Sequence, residues 1–359
     1  MKTISISFLF LLIFSFSAIG QTIADYKKKI SIDIQAGNFE KAILNLNRAI
    51  KIAPKDYSLL EFRAYCYENT NKIDLAIKDN LQVLKFDKSG ETHLRLGFQY
   101  MLLNKNKVAR EYLKNAILLK PNDIQGYYNY GLTFQREEEY VEAIKIYDDL
   151  LKLDNNHIRT LISKSRCLLF LGELVKSKVI VDKFFTDKNF SPEMLMIRGE
   201  INQKQGLLEQ ALNDYSRATT LLPDDTDLLN RSASILGELG LQKEEEAVRK
   251  RIIGLYNSNK VDSEALSLEY GMLAVAQLAT LSFKDAKESL DASIALDKNK
   301  SNLFFYRCIA KEKLKDFEGA CDDLNRAKEL SPDKADGYNE YFDDDIEFEE
   351  FQKICFSIP

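Results

Sequence analysis

Apolar and small residues recur along this chain on two nested periods. The short one is helical. Within the stretch 192–225, Leu195, Gly199 and Asn202 fall on one face at the 3.6-residue spacing of a helix, and Ala211, Tyr215 and Ala218 form a second such face at i, i+4 and i+7. Gly206 stands between the two runs, where a helix end uses a residue free to take positive φ, and Pro223 follows the second run, where a helix cannot continue. The pattern predicts two helices joined by a tight turn. Gly199 and Ala211 let the backbones approach, and Tyr215 fills the wedge beside them.

The long period is about 34 residues. Ala42, Ala76, Ala109, Ala143, Ala211, Ala286 and Ala320 lie one or two such steps apart, with Ser177 and Glu245 standing at the two skipped steps. Pro54, Pro121, Pro223 and Pro332 each follow their alanine by twelve residues. The step that contains Glu245 carries seven extra residues, placed at Ser258 to Glu264 and read as a lengthened loop. The second helix there is also offered another face by Ala247, Ile252 and Leu255. A period of this size marks an array of supersecondary units, none of which buries its apolar face alone. Nine units are predicted, from about Ile23 to Lys334.

The order of residues within the units resembles the tetratricopeptide repeat, a helix-turn-helix module of 34 residues. One unit carries Leu96, Gly97, Tyr100, Ala109, Leu113, Ala116 and Pro121. The next carries Tyr127, Gly131, Phe134, Tyr140, Ala143 and Tyr147, with Asn155 where proline is usual. The last has Phe304, Phe317, Ala320, Leu324, Ala327 and Pro332, with Cys308 in the glycine site. The first has Gly37, Phe39, Ala42, Leu46, Ala49 and Pro54, and weaker units start near Tyr57, Ile158, Thr226 and Ser267. The resemblance implies an all-α, right-handed α-solenoid over 21–334. It also implies a concave groove lined by the first helices, which in this family holds peptides or partner proteins. The residues it brings to that groove are Tyr65, Phe98, Tyr128, Arg166, Met196 and Glu200. Tyr128 and Leu132 stand at two sites of the family's carboxylate clamp, so that specificity does not carry over.

Both ends of the chain break the pattern. Lys2, the apolar run from Ile4 to Phe16 and the small residues Ala18 and Gly20 compose a secretory signal peptide over 1–20, with the mature chain starting at Gln21. No later stretch is long and apolar enough to span a membrane. After Pro332, Asp343, Asp344 and Asp345 precede Phe348, Phe351 and Cys355 at helical spacing, an acidic C-terminal capping helix within 335–359.

Composition removes most chemistry. Fifty basic and 55 acidic residues are interspersed for a net charge of -5, with no basic stripe for nucleic acid. The two histidines, His93 and His157, have no metal-spaced partners, and no nucleophile elbow or phosphate-binding glycine loop is present. No catalytic residue, cofactor or metal is expected. Of the five cysteines, Cys66 and Cys167 are expected to be packed thiols. Cys321, on the apolar side of the last second helix, is expected to pair with Cys355 of the cap, with Cys308 as the competing partner. The chain is thus expected to be a secreted or periplasmic, non-enzymatic scaffold for a protein or peptide. The alternative is a structural accessory subunit of an envelope enzyme or export complex.

Overall fold

In the computed structural model, the described residues are 23–184, 191–259 and 261–334. The expected signal segment 1–20 and the expected acidic cap with Cys355 lie outside them. Eighteen α-helices and no strand occur among these residues, in nine consecutive pairs, an all-α helical-repeat solenoid. Contacts divide the chain into two units, residues 1–177 and 178–359. The first unit holds α1 (23–35), α2 (Phe39–Ile52), α3 (Ser58–Asn69), α4 (Ile73–Leu84), α5 (Gly90–Leu102), α6 (Asn106–Leu119), α7 (Ile124–Arg136), α8 (Tyr140–Leu153) and α9 (Ile158–Phe170). The division falls in α10 (Leu174–Phe184). The second unit continues with α11 (Pro192–Lys204), α12 (Leu208–Leu221), α13 (Thr226–Glu238), α14 (Gln242–Asn259), α15 (Ser263–Ala279), α16 (Phe283–Leu296), α17 (Ser301–Lys313) and α18 (Phe317–Leu330).

The alanine lattice is the close contact between paired helices. All seven alanines and Ser177 are fully buried. The glycines opposite are required by the side chains they meet. A Cβ on Gly131 would stand 2.3 Å from the Tyr147 ring, one on Gly199 2.6 Å from Tyr215, and one on Gly97 2.5 Å from Leu113. Each such pair is sixteen residues apart, so one site on the first helix and one on the second define the wedge throughout the array.

The turns inside the pairs follow one rule. Gly37, Asn71, Asn104, Glu138, Gly172, Gly206, Gly240, Leu281 and Lys315 all take positive φ, between 55° and 74°. The next residue in each turn donates its N–H back five residues, as Leu207 does to the Asn202 carbonyl at 2.8 Å and Ser282 to Gln277 at 2.8 Å. This is the Schellman closure of a helix C-terminus, which places one residue in the left-handed region. Only four of the nine are glycine. Leu281 takes φ 60° with its side chain 71% exposed, so it carries the steric cost with little packing in return. Leu281→Gly is therefore expected to raise stability by about 1 kcal/mol, read as a higher urea midpoint. An unchanged or lower midpoint would show that the leucine packs usefully in this turn.

Two expectations in the seventh repeat are corrected. The seven extra residues do not lengthen a loop. They extend α14 to 18 residues and α15 to 17, against 11–14 for the other described helices, leaving only 260–262 between them. No proline follows α14 to stop it, and α15 begins at Ser263, a turn before the expected Ser267, with Asp262 accepting the Glu264 N–H at 3.1 Å. Nor does the buried face of α14 shift. Ala247 is exposed, and Glu245 is buried at the alanine site. Gly237 makes room for it, and Arg249 pairs with it at 2.7 Å and with Glu269 at 3.3 Å.

Candidate functional site

Within the first unit, the first helices of four consecutive repeats line one groove of about 810 Å³. Ile34 comes from α1, Glu61, Phe62, Tyr65 and Glu68 from α3, Leu94, Arg95 and Phe98 from α5, and Gln125 and Asn129 from α7; Asn80 of α4 joins them. The helical period explains the selection. Glu61, Tyr65 and Glu68 follow at i, i+4 and i+7, while Leu94 and Phe98, and Gln125 and Asn129, follow at i and i+4. Tyr65 is held edge-on by Phe39 with ring centroids 6.0 Å apart. Gln125 donates to Asn129 at 2.7 Å.

Ile34, Phe62, Tyr65, Leu94 and Phe98 supply the apolar part of the walls, and Glu61, Glu68 and Arg95 supply the charges. Arg95 is shared between Glu61 at 3.4 Å and Glu91 at 3.5 Å. Glu68 accepts from Gln99 Nε2 at 2.5 Å. Burial nevertheless holds its carboxyl above the usual glutamate range, with the Gln99 bond and the Arg95 charge only partly offsetting it.

Of the six residues expected in a groove, Tyr65 and Phe98 line this one and are substantially exposed. Tyr128 is half-buried between neighbours, its ring 6.3 Å from Tyr147 and 5.8 Å from His157. Arg166 is exposed on α9. Met196 and Glu200 belong to the second unit. There Met196 packs on the core around Tyr215, and Glu200 pairs with Arg231 at 3.5 Å. Phe62, Glu68, Asn80 and Arg95 were not among the expected residues. The signal for Asn80 was available, because it occupies the wedge site that holds Leu113, Tyr147 and Tyr215 in other repeats.

The thiols are placed for packing. Cys66, Cys167 and Cys308 are buried and free, and burial pushes the first up to about 11 and the other two up to about 12, far from nucleophilic poise. Cys321 is disulfide-bonded, and the expected partner Cys355 lies outside the described residues. Among the described residues no cluster of three or more His, Cys, Asp or Glu is placed to hold a metal ion, and no helix is long and apolar enough to cross a membrane.

The family model for the tetratricopeptide repeat matches residues 124–157, which is α7 and α8 with the linker to α9. Over 228 residues the chain is 25% identical to a BBSome complex member BBS4 homolog of Drosophila melanogaster, covering 62% of this chain and 44% of that protein. Over 248 residues it is 25% identical to the human protein O-mannosyl-transferase TMTC3, covering 63% of this chain and 27% of that protein. The chain thus spans less than half the length of these curated relatives. Among solved structures, Pseudomonas aeruginosa pilF superposes with a TM-score of 0.50 at 17% identity, over 62% of this chain and 99% of that one. A tetratricopeptide repeat protein from Parabacteroides merdae gives a TM-score of 0.42 at 13% identity, over 81% of this chain and 99% of that one.

Proposed function

We propose, given that this chain is a tetratricopeptide-repeat protein, that it is a non-enzymatic scaffold which binds an extended segment of a partner protein along the first helices of its first unit. One observation carries this reading: Phe62, Tyr65 and Phe98 stand on successive first helices and line a single groove. Aromatic side chains supply large contact area at little conformational cost, and they are the residue types that anchor interfaces. Among the described residues, the lattice alanines and the glycines at the wedges and turns are accounted for by helix packing and chain reversal. The likeness to a transferase touches about a quarter of that protein and gives no reason to assign transfer chemistry here.

The test is affinity for a partner captured by crosslinking in the native host. Tyr65→Ala with Phe98→Ala is expected to weaken binding by at least about tenfold, with helix content unchanged by circular dichroism. Retained affinity would move the binding surface off this groove. A pulldown that instead returns one stoichiometric membrane complex, insensitive to both substitutions, would favour the accessory-subunit role.

The proposal includes an exported location, supported by the charged start, apolar run and small-x-small site of residues 1–20 and by a disulfide at Cys321 in a chain whose Cys66, Cys167 and Cys308 are free. The mature protein then begins at Gln21, and Cys321 pairs with Cys355. Intact mass and non-reducing peptide mapping of the native protein check both. A mass that retains 1–20, or a reduced Cys321, counts against the exported reading, and a Cys321 linked elsewhere overturns only its pairing with Cys355.

A further inference from the structure

The second-helix site that fills the wedge beside Gly97, Gly131 and Gly199 recurs in register in all nine repeats. It holds Leu46, Asn80, Leu113, Tyr147, Val181, Tyr215, Arg249, Leu290 and Leu324, all buried. Seven of these are apolar or aromatic. The two polar exceptions are resolved differently. Arg249 is answered from within the fold by Glu245 and Glu269. Asn80 is 1% exposed, and neither its Oδ1 nor its Nδ2 has a hydrogen-bond partner. A buried amide without partners is costly, and among the described residues Asn80 is the one side chain for which both amide atoms lack one.

The residue twelve before Asn80 shows what is missing. In the fourth repeat Tyr147 Oη donates to Gln135 at 2.8 Å, and in the sixth Tyr215 Oη donates to Gln203 at 3.4 Å, each pair twelve residues apart. The corresponding pair in the second repeat is Glu68 and Asn80. Asparagine is too short to close it, and both residues line the groove.

We infer that Glu68 and Asn80 form a subsite for one basic side chain, lysine or arginine, of the partner segment. This rests on the groove being the peptide site. The open acceptors at the groove are the Glu68 carboxylate and Asn80 Oδ1, with the unpartnered Gln99 Oε1 buried behind them, and the one open donor beside them is Asn80 Nδ2. A donor-rich cation satisfies acceptors, whereas an anion would be set against Glu68 and an apolar group would leave Asn80 unanswered. The other charges lining the groove are Glu61 and Arg95, 3.4 Å apart, and the Arg95 charge that also reaches Glu68 does not offset the effect of its burial. Phe62, Tyr65 and Phe98 accommodate the aliphatic stem of a long basic side chain and interact with its charge through their faces.

The experiment pans a phage-displayed random 12-residue peptide library on the full chain and measures the selected peptides by fluorescence anisotropy. The expected peptides carry a lysine or arginine at one fixed place. Replacing it with norleucine or citrulline lowers affinity at least tenfold on the natural protein, and lowers it little on Glu68→Gln. Asn80→Leu restores the residue used elsewhere, as Leu290 opposite Ala274 does, so it is expected to raise the melting temperature and abolish the preference for a basic residue. Peptides whose binding depends on Tyr65 and Phe98, yet is indifferent to the basic residue and to Glu68, overturn the cation subsite and leave the groove standing. If no selected peptide depends on Tyr65 and Phe98, both readings fail.

Discussion

Ala211→Glu is expected to cost the second unit roughly 4 kcal/mol, and Lys204→Glu almost nothing. Ala211 is fully buried in the contact between α11 and α12, while Lys204 is exposed at the end of α11. The chain itself shows what a glutamate at this site requires. One repeat later the same position is Glu245, and two neighbours have changed with it. Gly237 leaves space, since a Cβ there would stand 2.8 Å from a Glu245 oxygen, and Arg249 neutralises the charge at 2.7 Å. In the sixth repeat the corresponding residues are Gln203 and Tyr215, which offer neither room nor a cation. Thermal or urea melts of the two variants decide the matter. Equal shifts would mean that the alanines do not mark the helix contact.

That contrast shows where the sequence was legible. Ala211 and its eight counterparts repeat in sequence because every unit meets the same steric demand, so the pairs, their order and their number could be read from spacing alone. The turn rule was legible only at Gly37, Gly172, Gly206 and Gly240. Asn71, Asn104, Glu138, Leu281 and Lys315 adopt the same backbone without the residue that announces it, because the Schellman bonds around them hold the conformation. The seven-residue insertion was misread as a loop, since nothing in residues 255–264 distinguishes one added turn on each of two helices from seven residues between them. The groove was half legible. Tyr65 and Phe98 follow from the helical face, but Tyr128 shares that face and is taken up by Tyr147 and His157. Which aromatic is left for a ligand depends on its neighbours in space, and a periodic pattern does not carry that information.

The last expected result concerns a bracket that single-residue spacing did not suggest. Arg63, Arg198 and Arg307 sit on first helices, and each engages, with two nitrogens, an aspartate sixteen residues later. Arg63 reaches Asp79 at 2.7 Å through both Nε and Nη2, and Arg307 reaches Asp323 at 2.8 and 2.6 Å. Arg198 binds Asp214 through Nε at 2.9 Å and again through Nη2. Two of the arginines also reach sixteen residues back, Arg63 to Asn47 at 2.7 Å and Arg307 to Asp291 at 2.7 Å, so one guanidinium ties a first helix to the second helices on both sides. All three aspartates are buried. Fork-to-fork geometry fixes orientation as well as distance, which adds register to a stack whose apolar contacts are much alike from repeat to repeat. Arg198→Met keeps most of the stem but strands the Asp214 carboxylate with the Asn202 amide at 3.0 Å. Removing one partner of a buried pair costs about 3 kcal/mol or more, whereas replacing both with apolar residues of similar size is often nearly neutral. Arg198→Met is therefore expected to lower stability by about 3 kcal/mol, and Arg198→Met with Asp214→Leu to recover most of that loss in a double-mutant cycle. Additive losses in the cycle would mean that the two side chains contribute by packing separately, and that the register of the repeats is set by the glycine and alanine wedge alone.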